Sequence, residues 1–198
     1  MTALSVNVNK FALVRNARGA DLPNLIDISN KCLNFGADGI TVHPRPDERH
    51  AKFSDLEPLK NLLAKFENKE FLRDTVSEFK KNKIRVSIFI NPSIKTLENL
   101  EVIQTDRVEL YTYDYAHNFK ENKDTAIKSY IDVSTYLKKE FPKIKLNAGH
   151  DLNLENLKFF LENINNVEEV SIGHALICDT FEYGLEKTIN KYLSLTKN

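Results

Sequence analysis

Apolar and polar positions along the chain follow two periods, one typical of strands and one typical of helices. Short segments with strand character occur six times, at residues 4–9, 38–43, 84–90, 107–112, 144–148 and 167–172. Helical spacing occupies the stretches between them, at residues 22–35, 54–66, 71–82, 94–103, 123–141, 153–164 and 179–195. Gly36 is a stop signal for the first helix, and Ser54 with Glu57 forms a capping box for the second.

Strands separated by single helices predict a parallel sheet with helices outside it, which is the α/β class. We expect a TIM-type (β/α) barrel in one domain over residues 1–198, because candidate functional residues follow several different strands. An eight-stranded barrel takes about 250 residues. This chain has 198 residues and about six recognisable strands, so we expect a shortened barrel. Two successive helices, at 54–66 and 71–82, break the alternation where a strand is missing.

Composition excludes several classes of protein. The 28 basic and 28 acidic residues give a net charge of zero, which offers no support for a nucleic-acid or membrane-surface partner. No apolar run approaches a membrane span, and the N-terminus lacks signal-peptide character, so a cytoplasmic protein is expected. Cys32 and Cys178 lie in apolar helical contexts and are predicted to be reduced core thiols.

Four of the five histidines follow predicted strands. They are His43, His50, His150 and His174. Imidazole titrates closest to neutral pH and can move protons in both directions. The loop 43–50 also carries Arg45, and two prolines stiffen it; its alternative interpretation is a solvated charged loop. Metal binding is the weaker option, because no ligand set has clear spacing.

Other groups at strand ends are suited to binding anions. Arg15 and Arg18 precede Gly19 after the first strand, and a guanidinium can hold a phosphate or carboxylate through two hydrogen bonds; a solvated basic loop is the alternative. Gly149 and Gly173 allow backbone N–H groups to approach phosphate oxygens.

Two candidate site residues also have an interpretation that gives them no function. His174 is either a site residue or a histidine that begins a helix and bonds to backbone. Glu109 is either an inward carboxylate that orients a histidine or substrate amine, or an ordinary outward strand residue. Thr112, at the end of the same strand, is a candidate supporting residue.

Five segments together resemble the pyridoxine 5'-phosphate synthase family. They are VNVNKFALVRNARG (6–19), GADGITVHPRPDERH (36–50), DRVELYTYDYA (106–116), LNAGHDLN (146–153) and VSIGHALI (170–177). The resemblance implies an eight-stranded barrel that assembles into homo-octamers and needs no metal or organic cofactor. It also implies condensation of 3-amino-2-oxopropyl phosphate with 1-deoxy-D-xylulose 5-phosphate to pyridoxine 5'-phosphate, phosphate and water.

The resemblance also implies roles for individual residues. His43 is the expected general base and His150 the general acid. The amino-ketone phosphate is expected to contact Asn7, Arg18, Asp151, Gly173 and His174. The deoxyxylulose phosphate is expected to contact Asn9, Lys10, Arg45 and His50.

The chain departs from the family pattern at three places. Most members have Asp-His where this chain has Asn9-Lys10, and many have a glycine where it has Asp151. The family's third strand carries a catalytic glutamate and its fourth leads to a mobile lid, and neither is recognisable here. The gap falls at residues 64–71, where Glu67 and Glu70 lack a strand context.

Three structural outcomes of the gap stay open: a smaller closed barrel, an open one covered by a partner subunit, or a weakly stable product of gene decay. Two functional alternatives accompany the synthase. One is a catalytically impaired member that only binds phosphorylated ligands or assembles with partner subunits. The other is a different phosphosugar enzyme, such as an epimerase or aldolase, with Lys10 as a Schiff-base lysine.

Overall fold

A computed structural model describes residues 2–17, 19, 21–42, 47–52, 73, 76–77, 79–81 and 85–196. Within these residues the strands are β1 (Ala3–Asn7), β2 (Gly39–Thr41), β3 (Ser87–Ile90), β4 (Arg107–Tyr111), β5 (Lys145–Gly149) and β6 (Val167–Ile172). The helices are α1 (Asn9–Asn16), α2 (Leu25–Asn34), α3 (Leu100–Ile103), α4 (Tyr113–Ala126), α5 (Lys128–Glu140), α6 (Leu157–Asn163), α7 (His174–Tyr183) and α8 (Leu185–Thr196). A 3-10 helix covers Ile94–Leu97.

The strands follow the order β2-β1-β6-β5-β4-β3. The pairs β1–β2, β3–β4 and β4–β5 are parallel, with Asn7 opposite Thr41 and Glu109 opposite Asn147. Helices connect successive strands in most of the described chain, as parallel pairing requires. The predicted α/β class and the six predicted strands are confirmed for the described residues.

The chain divides into two compact units. The first contains Met1–Leu63, His150–Glu155 and Val170–Asn198, and the second contains Ala64–Gly149 and Asn156–Glu169. Strand β6 therefore contributes its beginning to the second unit and its end to the first.

Each unit has its own buried apolar side chains. In the first unit they include Leu4, Val6, Cys32, Leu176, Ile189 and Tyr192. In the second unit the ring of Tyr115 makes edge contacts with Tyr130 and Phe160, and its hydroxyl donates to the Asn156 carbonyl at 2.7 Å. Burial of these three rings stabilises the core, and the hydrogen bond to Asn156 satisfies the buried hydroxyl of Tyr115.

Several predicted boundaries were wrong. Helix α1 occupies residues expected to form a loop, because its apolar stretch has helical spacing and buries Ala12. Helix α4 begins ten residues before the predicted helix at 123–141 and is interrupted at Asn122, which has non-helical backbone angles. The last predicted helix is two helices that meet at Gly184, where φ is +81°.

Part of the predicted helical pair lies outside the described residues. This applies to the capping box at Ser54 and to the whole of 54–66. In the stretch 71–82 the described residues are helical, in agreement with the prediction; they are Arg73, Val76, Ser77, Phe79, Lys80 and Lys81.

The two cysteines differ in burial. Cys32 lies in the core as predicted, and burial raises the pKa of its thiol to about 11. Cys178 is exposed, so its predicted core position was wrong. Its neighbours Leu176 and Ile177 occupy the buried side of α7, and the next residue turns outward on the same helix.

No helix among the described residues is both long and apolar enough to cross a membrane.

Candidate functional site

In the first unit, the end of β1 meets the segment that follows β6. A Cβ placed on Gly173 would lie 3.0 Å from the Asn7 Cβ and 3.3 Å from the Asn7 carbonyl oxygen. Only glycine fits this approach without displacing Asn7. Asn7 and Gly173, which the family resemblance assigns to the same phosphate, are therefore in contact.

Asn7 also connects β1 to the start of α1. Its side-chain oxygen accepts a hydrogen bond from the Asn9 N–H at 3.0 Å. Asn9 is buried and Lys10 is half-buried in the first turn of the helix. Both residues therefore lie on a helix after the strand, whereas Asn9 was predicted to be the last residue of the strand.

The loop after β2 is held by Asn16, the last residue of α1. The Asn16 side-chain amide donates to the carbonyls of Glu48 at 3.1 Å and His50 at 2.6 Å. Arg15 is buried, and its Nε donates to the Asn16 side-chain oxygen at 3.1 Å. Arg15 therefore supports this loop. Asn16 was missed as a functional residue from the sequence, because the backbone that it holds lies 34 residues later in the chain.

Three predicted site residues lie outside the described residues: Arg18, His43 and Arg45. Their roles stay predictions. The neighbouring Arg49 is exposed, with its Nε 3.5 Å from Asp47 Oδ2.

His150 and Asp151 form a turn with unusual backbone angles. Their φ values are +93° and +60°, both in the region that favours glycine. The two side chains meet, with His150 Nδ1 3.1 Å from Asp151 Oδ2. Aspartate tolerates the left-handed conformation better than most residues. An aspartate is therefore compatible with this turn, and it gives the exposed imidazole a carboxylate neighbour.

His174 is the first residue of α7, and its side chain is exposed. Its predicted position at a helix start is confirmed. The N–H groups of a first helical turn have no partner within the helix and attract anions. One turn later, Cys178 Sγ lies 3.9 Å from His174 Nε2.

In the second unit, Glu109 lies in the middle of β4. It pairs in register with Phe89 on β3 and Asn147 on β5. Alternation along the strand places Arg107, Glu109 and Tyr111 on one face, and Val108 on the opposite face is fully buried.

The surroundings of Glu109 favour its neutral form. The residue keeps part of its surface exposed, yet burial of its carboxyl group raises its pKa to about 7, and the charge of Glu169 adds to the rise. A carboxyl group with this pKa can both donate and accept a proton near neutral pH.

Thr112 follows β4 and is fully buried. Its hydroxyl and its N–H both donate to the carbonyl of Gly149, at 2.9 and 3.1 Å. Thr112 therefore fixes the end of β5 immediately before His150 in the chain, and its supporting role stays a prediction.

Replacing Gly173 by alanine is expected to lower the free energy of unfolding by about 1–2 kcal/mol, because the new methyl group overlaps Asn7. The matched control is Gly39→Ala on β2, where the nearest atom would be Ser5 Oγ at 3.4 Å. Urea unfolding of both variants measures the difference. Equal stabilities would show that the contact between Gly173 and Asn7 is not tight.

Among the described residues, no group of three or more His, Cys, Asp or Glu side chains could hold a metal ion.

Comparisons with known proteins show which family this chain belongs to. The model of the family described as "Pyridoxal phosphate biosynthesis protein PdxJ" matches residues 4–66 and 63–198. A relative in Cytophaga hutchinsonii, named pyridoxine 5'-phosphate synthase, is 42% identical over 235 positions and covers 98% of each chain. A relative of the same name in Christiangramia forsetii is 38% identical over 239 positions and covers 100% of each chain.

Similarity to solved structures is weaker. The aldolase YdjI from Escherichia coli K12 aligns with 98% of this chain and 91% of its own, with a TM-score of 0.49 and 12% identity. Similarity at this level does not bear on function.

The alignments also locate the missing portion. An alignment of 235 positions is longer than the 198 residues of the chain, so at least 37 positions of that relative have no counterpart here. The family match ends at residue 66 and begins again at residue 63. The internal deletion predicted around residues 64–71 is thereby confirmed as a feature of the sequence.

Proposed function

The chain belongs to the PdxJ family of pyridoxal phosphate biosynthesis proteins, and we infer that it works as a pyridoxine 5'-phosphate synthase. It condenses 3-amino-2-oxopropyl phosphate with 1-deoxy-D-xylulose 5-phosphate and releases phosphate and water. The observation that carries this inference is the similarity across nearly the full length of relatives that bear this name.

The reaction needs two kinds of group. Both substrates are phosphate esters, which require donors or cations that hold dianions. Imine formation, elimination and ring closure each move protons, so groups that titrate near neutral pH must be present. The first unit contains the proposed anion-binding groups together with His43 and His150.

For the amino-ketone phosphate, we assign Gly173 and His174 at the start of α7, together with Asn7 and Arg18. The N–H groups of the first turn of α7 support this assignment, as does the contact between Asn7 and Gly173. Asp151 contributes through its pairing with His150.

For the deoxyxylulose phosphate, we assign Asn9, Lys10, Arg45 and His50. The first turn of α1 carries Asn9 and Lys10, directly after β1. Asn16 holds the backbone of His50, which limits the movement of that loop. Lysine in place of the usual histidine keeps a cation for phosphate but cannot act as a neutral imidazole does.

For proton transfer, we assign His43 as general base and His150 as general acid. Glu109 is a third group, because its carboxyl pKa is raised to about 7. Thr112 supports the chain before His150 through the Gly149 carbonyl. The resemblance further implies a cytoplasmic homo-oligomer, an octamer in the family, and no cofactor.

The missing glutamate and lid are the reason to keep a binding-only alternative. A protein of that kind would retain the phosphate-binding groups and lack turnover. The names of the relatives favour the synthase. The third alternative, an epimerase or aldolase, rested on Lys10, and the family membership does not favour it.

Binding of 1-deoxy-D-xylulose 5-phosphate is expected to weaken about 10–100-fold when Arg45 is replaced by alanine, because a charged hydrogen-bond donor to phosphate is lost. Arg49→Ala is the matched control, since Arg49 is exposed and lies beside Asp47. Titration calorimetry with this substrate measures both affinities. Equal affinities in the two variants would contradict the assignment of Arg45, and an unaltered protein that binds neither substrate would contradict the proposed function.

A further inference from the structure

A cleft of about 570 Å³ lies in the second unit, where strands β3, β4 and β5 begin. Cavities of this volume accommodate small molecules. We call it the basic cleft, because five of its six charged lining residues are cations. These six residues are Lys80, Arg85, Asp106, Arg107, Lys143 and Lys145.

The basic cleft is separate from the strand ends used in the second unit's part of the candidate site. Parallel strands place all their beginnings at one edge of a sheet and all their ends at the other. Thr112 and Gly149 lie at the ends of β4 and β5, and each of these strands has five residues. At about 3.3 Å per residue, roughly 16 Å separates the two edges. The proposed function therefore gives the cleft no role.

One wall of the cleft is a fixed arrangement of two arginines around one carboxylate. Glu169 on β6 accepts hydrogen bonds from Arg85 Nη2 at 2.8 Å and Arg107 Nη1 at 3.0 Å. Arg107 Nη1 also donates to the Asn147 side-chain oxygen at 2.9 Å. The Arg107 side chain is only 14% exposed, whereas that of Arg85 is 57% exposed. Arg85 therefore keeps N–H donors directed to other acceptors.

Two lysines of the cleft have single carboxylate partners. Lys80 Nζ lies 2.9 Å from Asp106 Oδ1, and Lys145 Nζ lies 2.9 Å from Glu168 Oε1. The Lys145 side chain is 54% exposed, so two of its three N–H donors can reach another acceptor. These pairs neutralise charge only in part.

Lys143 has no such partner. It is exposed in the segment before β5, and no carboxylate among the described residues pairs with it. The five cations of the cleft are thus accompanied by three carboxylates, Asp106, Glu168 and Glu169, which leaves two positive charges in excess within this set. Clefts lined by one sign of charge concentrate the opposite ion.

We propose that the basic cleft binds a small molecule through a diphosphate group, held by Arg85 on one side and by Lys143 and Lys145 on the other. This inference is independent of the proposed function, because none of these residues belongs to the candidate site. Ion pairs that only joined the strand beginnings would not require Lys143.

The spacing of the cations favours two linked phosphates over one. Arg85 precedes β3, and Lys143 precedes β5, with β4 between the two strands. Neighbouring strands are about 4.8 Å apart, so the two sides of the cleft are separated by about 10 Å. Two linked phosphates contact the cations of both sides at once. A guanidinium holds a phosphate through paired hydrogen bonds, and an ammonium acts as a point charge.

The test is titration calorimetry of the full chain with inorganic pyrophosphate, inorganic phosphate and ADP. We expect pyrophosphate to bind at least tenfold more tightly than phosphate. ADP that binds as tightly as pyrophosphate would support recognition of the diphosphate alone, and tighter binding of ADP would support recognition of a nucleotide.

Two variants locate the pyrophosphate. Arg85→Ala and Lys143→Ala should each weaken its binding about tenfold, because each removes a charged hydrogen-bond donor. Both side chains are exposed, so both variants should fold.

Lys158→Ala is the matched control. Lys158 is exposed on α6 in the same unit, 3.8 Å from Glu162, and does not line the cleft. Its removal changes the net charge by the same amount as Lys143→Ala and should leave the affinity for pyrophosphate unchanged.

A third variant should strengthen binding, which a folding defect would not do. Glu168→Gln removes the carboxylate that competes for Lys145. We expect the affinity for pyrophosphate to rise about two- to fivefold.

Three results would overturn the inference. They are an unaltered protein that does not bind pyrophosphate, equal affinities for phosphate and pyrophosphate, and equal effects of Lys143→Ala and Lys158→Ala. Pyrophosphate binding that depends on Lys143 in a protein without product formation would support the basic cleft and overturn only the proposed function.

Discussion

Replacing His150 by alanine is expected to lower kcat for pyridoxine 5'-phosphate formation by about 10²–10⁴-fold, with little change in KM. The imidazole of His150 is exposed, and Asp151 Oδ2 lies 3.1 Å from its Nδ1. This carboxylate fixes the orientation of the imidazole ring through its contact with Nδ1. Loss of the side chain should remove the proposed general acid and leave the proposed phosphate-binding residues Asn7 and Gly173 in place.

His117→Ala is the matched control for this prediction. His117 is exposed on α4 and stacks against Tyr113 with the ring centroids 5.7 Å apart. Steady-state kinetics of the two variants should therefore differ strongly in kcat. A His150→Ala variant with the activity of His117→Ala would remove His150 from the mechanism.

Replacing Glu109 by glutamine is expected to have opposite effects on activity and stability. Turnover should fall by about 100-fold, since glutamine cannot exchange a proton. The free energy of unfolding at pH 8 should rise by about 2 kcal/mol, because glutamine removes the cost of burying an ionised carboxylate. Chemical denaturation at several pH values, together with kinetics, measures both effects.

The pH dependence follows from the direction of the pKa shift. An unfolded glutamate has a pKa of about 4.3, and burial raises the pKa of Glu109 to about 7. Between these values the folded protein binds more protons than the unfolded chain, so its stability falls as the pH rises. The gain from Glu109→Gln should be absent at about pH 4, grow up to about pH 7 and then stay constant.

Glu168→Gln gives the contrasting control for stability. The hydrogen bond from Lys145 lowers the pKa of Glu168, so its charged form favours folding and its removal brings no gain. If Glu109→Gln behaved like Glu168→Gln, Glu109 would not be a carboxyl group whose ionisation opposes folding.

The strands were the most predictable part of the fold. All six predicted segments overlap an observed strand, because short apolar runs bounded by turn residues carry a local signal. Helix boundaries were less predictable. Helix α1 carries the polar residues Lys10, Arg15 and Asn16, and such residues are equally common in loops.

The site was only partly predictable for a different reason. Histidines and glycines after strands are visible in the sequence, and their placement follows from the parallel sheet. The role of Asn16 was not visible, because its partner is the backbone of His50, 34 residues later in the chain. The same holds for the raised pKa of Glu109, because burial, its larger cause, and the charge of Glu169, the smaller one, both depend on elements distant in the sequence.

The deletion was visible in the sequence because it disturbs the alternation of strands and helices. The family match confirms it, with two pieces that meet at residues 63–66. Its consequence for catalysis depends on whether the remaining side chains can perform every proton transfer of the reaction. Glu109 supplies a carboxyl with a pKa of about 7 without a contribution from the missing portion.

The central claim is that this shortened chain still makes pyridoxine 5'-phosphate. The most direct measurement is formation of that product by the purified protein supplied with both substrates, with each substrate omitted in turn as a control. We expect product, and one inorganic phosphate released for each molecule formed. Binding of both substrates by a folded protein without product would contradict the account and favour the binding-only alternative.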